Sequence, residues 1–300
     1  MTARPPAAPP RLMSRSRLAL RPAEVGLWLL AALPAVLLVW ILFDVLRAGL
    51  PLVSWDYLTT LPSNAGRAGG ILPVLVSTGL ILVVCLAATL PLGLGTAVLL
   101  AEFVPRHSWP GRLIRISLDI LAGVPSIVFG LFGNALFCRL LGLRFSILSG
   151  GLTLACMALP LWIRAAQESV QSVPAEYRQG GLALGMSRGA TLWKLVLPSA
   201  LPGLAAGLVL AIGRALAETA ALIFTSGYVD RMPHSLHDSG RSLSIHIYDL
   251  AMNVAGGNAR ASAAATVLVL ALLLINFLSR WLLALTFGDS STGTRRPAPA

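Results

Sequence analysis

Arg214 and Glu218 stand four residues apart inside an otherwise apolar stretch, AAGLVLAIGRALAETAALIFTSG, at 205–227. On a helix that spacing puts both on one face. A charge near the centre of a bilayer costs about 2.5–3.5 kcal/mol on insertion scales, so two of them need a reason. One reason is mutual neutralisation inside a bundle. The other is that they line a path for a charged solute. A guanidinium is permanently charged, carries five donors and suits an oxyanion; a carboxylate beside it keeps the complex weak enough to release. Thr219, next to Glu218, belongs to the same candidate path. Pro125 and Ser126 form a second candidate. They suit the start of a half-helix whose free N–H groups face an anion, and an ordinary membrane-helix kink is the alternative.

Other chemistry is poorly supplied. His234 and His237 make a His-x-x-His pair with His246 and Asp238 nearby. A metal site wants a third ligand on a rigid frame, so the stretch reads as a solvated loop and no metal is assigned. Cys85, Cys138 and Cys156 all lie in apolar stretches and read as small core or lipid-facing residues. No Ser/His/Asp or Cys/His set comes together, and no Gly-rich Lys-Ser/Thr loop is present to hold ATP phosphates. The chain is therefore not read as an enzyme, and no cofactor of its own is expected.

The elements that must position Arg214 are membrane helices. Of the 300 residues, 56% are hydrophobic and 12% charged, with a mean hydropathy of +0.79. A soluble domain carries roughly 25% charged residues to wet its surface. Six segments reach the ~20 apolar residues that a span needs: about 25–46, 71–101, 116–141, 147–165, 197–226 and 264–287. The expected fold is thus all-α, a polytopic bundle of about six transmembrane helices. Pro91 and Pro125 mark candidate bends in the second and third spans.

The net charge of +11 is informative through its placement rather than as a sign of nucleic acid, which is not an expected partner. With the N-terminus inside, fifteen Lys and Arg fall in inside segments, seven in outside loops, and Arg214 within a span. That asymmetry puts both termini in the cytoplasm. Residues 1–24 then read as a basic disordered tail meeting anionic lipid, 25–70 as the first span and an external segment, 71–287 as the core, and 288–300 as a second cytoplasmic tail.

The cytoplasmic loop after the fourth span has its own pattern. Pro174 and Glu176 suit a helix start, Gly185 suits its stop, and a second helix is expected from about Arg188 to Leu197. Leu192, Leu195 and Val196 would share one face. Two short helices joined at a glycine make either a surface hairpin or a docking knob.

This loop resembles the coupling loop of ABC importer permeases, whose pattern is Glu-Ala-Ala, three residues, Gly, nine residues, Ile-x-Leu-Pro. Here Gln179, Gly180 and Gly181 take the first three positions, and Gly185, Leu195, Leu197 and Pro198 the rest, within a coupling loop at 173–198. The family's glutamate is Gln179, which keeps hydrogen bonding without the charge. AIGRALAETAALIFTSG is similar to the Arg-containing Gly-Glu-Thr-Ala segment of Pst-type phosphate permeases, with Ala217 in place of the glycine. LAGVPSIVFGLFGNALF at 121–137 and SLSIHIYDLAMNVAGG at 242–257 are similar to further segments of that family's A-type subunit. The resemblance covers roughly 70–285. It implies a type I ABC importer permease in a bacterial inner membrane, translocating phosphate past Arg214, Glu218, Thr219, Pro125 and Ser126. It also implies a homologous C-type permease subunit, two cytoplasmic ATPase subunits that bind the ATP, and an external phosphate-binding protein. Sulfate, molybdate or a phosphonate is the alternative cargo.

Overall fold

A computed structural model describes residues 16–105 and 107–287 of the chain; the expected tail at 288–300 and the first fifteen residues lie outside them. The chain divides into two units, Met1–Arg47 and Ala48–Ala300. The first holds all but the last two residues of helix α1, Ser16–Gly49, which begins within the stretch read as a tail and carries an apolar run long enough to cross a membrane.

The second unit holds the remaining elements. A short helix α2 (Trp55–Thr59) and a two-residue hairpin (Pro62–Ser63 with Ala68–Gly69) fill the segment between the first and second spans. Then come α3 (Leu72–Val98, extended by a π-turn at Leu99–Phe103), α4 (Trp109–Gly123) and α5 (Ser126–Gly133, extended by a π-turn at Asn134–Leu140). Helix α6 spans Ile147–Gln171, α7 Ala175–Ala183 and α8 Arg188–Thr191. A π-turn at Leu192–Val196 leads from α8 into α9, Leu197–Leu216. Helices α10 (Ala220–Ile223), α11 (Leu243–Met252) and α12 (Asn258–Phe287) complete the chain. Among the described residues, five helical segments are long and apolar enough to span, and a sixth if α4 and α5 count as one broken span.

Serines open several of these helices. Ser146 accepts from the Ser149 N–H, Ser242 from the Ile245 N–H and Ser187 from the Ala190 N–H, each satisfying a donor that the first turn leaves free. The centre of the unit is α6, buried along much of its length against α3 and α9. Lipid gives no hydrophobic drive between helices, so close packing of small residues carries the association. Gly93 lies under the Trp162 indole, whose Nε1 donates to the Leu90 carbonyl at 3.4 Å. Gly151 meets Val84, Gly203 meets Ser169, and Gly207 meets Ala165.

The bend expected at Pro125 is present: the third span is two helices that turn by 102° at Val124–Pro125, so the proline ends one helix and starts another. Two other expectations are corrected. The fifth span is not continuous to 226: α9 ends at Leu216, and Ala217–Thr219 break it before α10. The second helix expected from about Arg188 to Leu197 is not a separate element. Arg188–Leu216 runs as one helical segment, and its π-turn at Leu192–Val196 lies just before Pro198.

Candidate functional site

Two contacts set Arg214 at the middle level of its neighbouring helices, α6 and α12. Along the antiparallel α6–α9 contact, Gly203 faces Ser169 and Gly207 faces Ala165, and Ala215 joins the cluster of Ala155 and Ala158 near the middle of α6. Gly213 meets Leu272, the middle of α12. The Arg214 side chain is exposed on this chain and lines a groove of about 550 Å³ between α9 and α12. Asn276, Ser279 and Arg280 supply the groove's other polar groups. Sequence reasoning missed these three, although polar residues at i, i+3 and i+4 of an apolar helix were a usable signal.

The expected Arg214–Glu218 pair does not form. With α9 ending at Leu216, Glu218 lies in the break and no longer shares a helical face with Arg214; the described ion pairs leave both out. The Glu218 carboxylate instead accepts from the Ala221 N–H at 3.1 Å, holding the first turn of α10, and its carbonyl accepts from the Ser244 hydroxyl at 2.5 Å. Thr219 precedes α10 with a non-ideal backbone (φ −118°, ψ −51°).

The second break, at Pro125 and Ser126, reaches the same level from another side. Val124 packs on the cluster of Ala155, Met157 and Ala158. Helix α5 then lies against α10, where Gly130 meets the Ala221 backbone. The Asn134 amide donates to the Phe224 carbonyl at 2.7 Å, tying the two broken segments together. Two interrupted helices therefore meet at mid-depth, where irregular backbone is tolerated only against protein or a cavity.

The residues expected to form a coupling loop divide into two groups. Gln179 and Gly180 are exposed on α7, and nothing surrounds the Cβ position of Gly180. Gly181 is buried against Thr191. Gly185 takes φ +74° after α7, and the Met186 N–H returns to the Gly181 carbonyl at 3.0 Å, closing the helix as expected. Tyr177, Leu182 and Leu184 present exposed apolar side chains around α7. Leu195, Leu197 and Pro198 instead belong to the span: Leu197 is buried in the core and Leu195 is half-buried. Of the trio expected on one face, Leu192 and Val196 are buried together.

Two acidic residues, Asp119 and Glu102, form ion pairs with arginines distant in the chain. Asp119 pairs with Arg164. Glu102 pairs with Arg178, which no local pattern had singled out because 76 residues separate them. Elsewhere in the unit Arg241 bridges to Asp249 at 3.0 Å, and His246 on the same helix as Asp249 is buried. Asp238 accepts from the His234 and Ser235 N–H groups, a turn-holding role that lowers its pKa and leaves it no part in a metal site. Among the described residues no His, Cys, Asp and Glu cluster has metal-binding geometry.

Residues 89–286 match the family described as binding-protein-dependent transport system inner membrane component. The chain is 32% identical over 269 residues to the probable ABC transporter permease protein YqgI of Bacillus subtilis, covering 85% of this chain and 91% of that one. It is 34% identical over 263 residues to the phosphate transport system permease protein PstA 1 of Mycobacterium tuberculosis, covering 83% and 82%. Its fold is similar to a chain of the inward-facing MetNI methionine ABC transporter, with a TM-score of 0.57 at 16% identity, over 71% of this chain and 95% of that one.

Proposed function

Since the chain belongs to the binding-protein-dependent transport system inner membrane components, we propose that it is a subunit through which an ABC importer carries inorganic phosphate inward. Membership makes it a multi-pass, non-catalytic permease of PstA-like type in a bacterial inner membrane, working with an ATPase and an external binding protein. The finer reading concerns cargo, partners and residues. A homologous C-type permease completes the pathway, and two cytoplasmic ATPases dock on the coupling loops. An external phosphate-binding protein delivers the anion, and both termini face the cytoplasm.

The observation that carries the reading is the position of Arg214. A fixed cation lies at mid-depth, unpaired by Glu218 and open to a groove with Asn276, Ser279 and Arg280. A guanidinium in that setting offers several donors to one tetrahedral oxyanion. The adjoining break at Ala217–Thr219 gives the path a place to rearrange when the helices rock. Glu218 holds α10 instead of neutralising Arg214, so the groove keeps its positive charge.

The test is uptake by the complete importer in proteoliposomes, offered labelled phosphate, sulfate, molybdate and methylphosphonate in turn, each with its cognate binding protein. ATP-dependent uptake of phosphate alone is the expected result. Uptake of another of these anions in preference to phosphate would reassign the cargo while leaving the architecture intact.

A further inference from the structure

Arg178 lies on α7 immediately before Gln179, and its guanidinium ties three elements at one point. Nε reaches the two Glu102 carboxylate oxygens at 3.0 and 3.3 Å, and Nη2 reaches Oε1 at 2.6 Å. Nη1 donates to the Val173 carbonyl at 2.7 Å and Nη2 to the Val170 carbonyl at 2.8 Å. Glu102 belongs to the π-turn that ends α3, Val170 to the last turn of α6, and Val173 to the link into α7. Both side chains are largely shielded, at 26% and 19% exposure, and they wall a cavity of about 310 Å³ with Phe103, Leu182 and Arg188.

Apart from its packing on α8 and the π-turn that follows, α7 is tied to the ends of α3 and α6 by this fork. It is nine residues long and follows Pro174 at one end. At its other end stands Gly185, in a left-handed conformation with open space around it. A short helix between two such joints pivots when it is pushed. A planar fork bonded to a carboxylate and two carbonyls removes that freedom, because its donors are fixed relative to one another. A lysine cannot do the same. Two of the acceptors, Glu102 and the Val170 carbonyl, belong to the ends of α3 and α6, which pack most extensively on each other among the described residues.

We propose that Arg178 is the positioning residue that makes α7 move as one body with the inner ends of α3 and α6, so that ATPase motion reaches the helices around Arg214. The proposal rests on reading α7 as the element that docks on the ATPase. Arg178 touches neither cargo nor nucleotide in this scheme; it acts through Glu102.

The experiment uses the full importer in proteoliposomes with inorganic phosphate as probe, comparing wild type with Arg178→Lys and Glu102→Gln. Both variants are expected to retain the ATPase through purification and to hydrolyse ATP. Phosphate moved per ATP hydrolysed should fall roughly tenfold, within the range typical of coupling between sites. A coupling ratio equal to wild type in both variants overturns the proposal. Spin labels at the exposed Glu176 and Leu99 give a second measurement on an otherwise native chain. Their separation should stay constant between ATP-free and ATP-bound states, and a separation that changes with ATP overturns the proposal as well. Failure of the underlying reading looks different. Leu184→Glu should release the ATPase if α7 docks there, and ATPase retained by that variant removes the docking premise itself. If wild type moves no phosphate, the cargo assignment has failed, and stimulation of ATP hydrolysis by the binding protein is compared among the same variants, with the same loss expected.

Discussion

Gly130 and Ala221 approach so closely that a Cβ on Gly130 would stand 2.8 Å from the Ala221 α-carbon and 3.2 Å from its carbonyl oxygen. This contact brings the half-helix after Pro125 against the short helix after Glu218, and so joins the two interruptions. A neighbour that is backbone cannot rotate aside. Gly130→Ala is expected to cost about 1–3 kcal/mol through overpacking, and Gly130→Val more. Thermal unfolding of the detergent-solubilised protein checks this; a midpoint unchanged by Gly130→Val would mean that the two segments do not meet.

Two adjacent glycines on α7 should respond in opposite directions. A Cβ on Gly181 would lie 2.6 Å from the Thr191 hydroxyl and 2.7 Å from its methyl, whereas Gly180 has open space. Gly181→Ala should lower the midpoint. Gly180→Ala, inside a helix and unhindered, should raise stability by about 0.5–1 kcal/mol, by reducing the freedom of the unfolded chain. Equal shifts for the pair would contradict the packing described.

Gly185 tests conformation without packing. Its φ is +74° and nothing lies near its Cβ position, so any cost of substitution comes from the backbone alone. Gly185→Ala is expected to destabilise by about 1–2 kcal/mol. Gly185→Asn, a residue that tolerates the left-handed region, should lose less. The order of the two midpoints is the readout, and Asn falling below Ala would refute the assignment.

His246 gives a pH dependence outside the membrane spans. Burial, and then the nearby Arg241, bring its pKa down from 6.5 to about 4, against the smaller opposing pull of Asp230 and Asp249. Its Nδ1 has no partner among the described residues, and Gly66 packs on the ring. The unfolded chain therefore takes up this proton first. Stability contributed by the neutral ring is complete above pH 6.5 and is lost as pH falls through 6.5 towards 4, by roughly 3 kcal/mol in all. His246→Leu should flatten that part of the stability curve. A slope between pH 6.5 and 4 that survives the substitution would assign it elsewhere.

The membrane class, the helix-rich fold and the stop at Gly185 were legible because hydropathy and a lone glycine act locally. So was the interruption at Pro125, since a proline removes an N–H wherever it stands. The break at Ala217–Thr219 was not legible. Nothing in Ala-Glu-Thr forbids a helix, and it is tertiary contact, Ser244 on the Glu218 carbonyl and Gly130 on Ala221, that ends α9 early. For the same reason the four-residue spacing of Arg214 and Glu218 suggested a pair that the fold does not make. Arg178 and Glu102 escaped notice because only the packing of α3 on α6 brings their ends together. Leu195, Leu197 and Pro198 were assigned to docking by their place in a pattern, and the continuous Arg188–Leu216 span puts them in the bundle.

The central claim is that Arg214 handles the transported anion. The most direct measurement is ATP-dependent phosphate uptake by the assembled importer carrying Arg214→Gln, with ATPase co-purification and ATP hydrolysis recorded in parallel. Uptake lost to background while assembly and hydrolysis persist is the predicted result; uptake at the wild-type rate would contradict it.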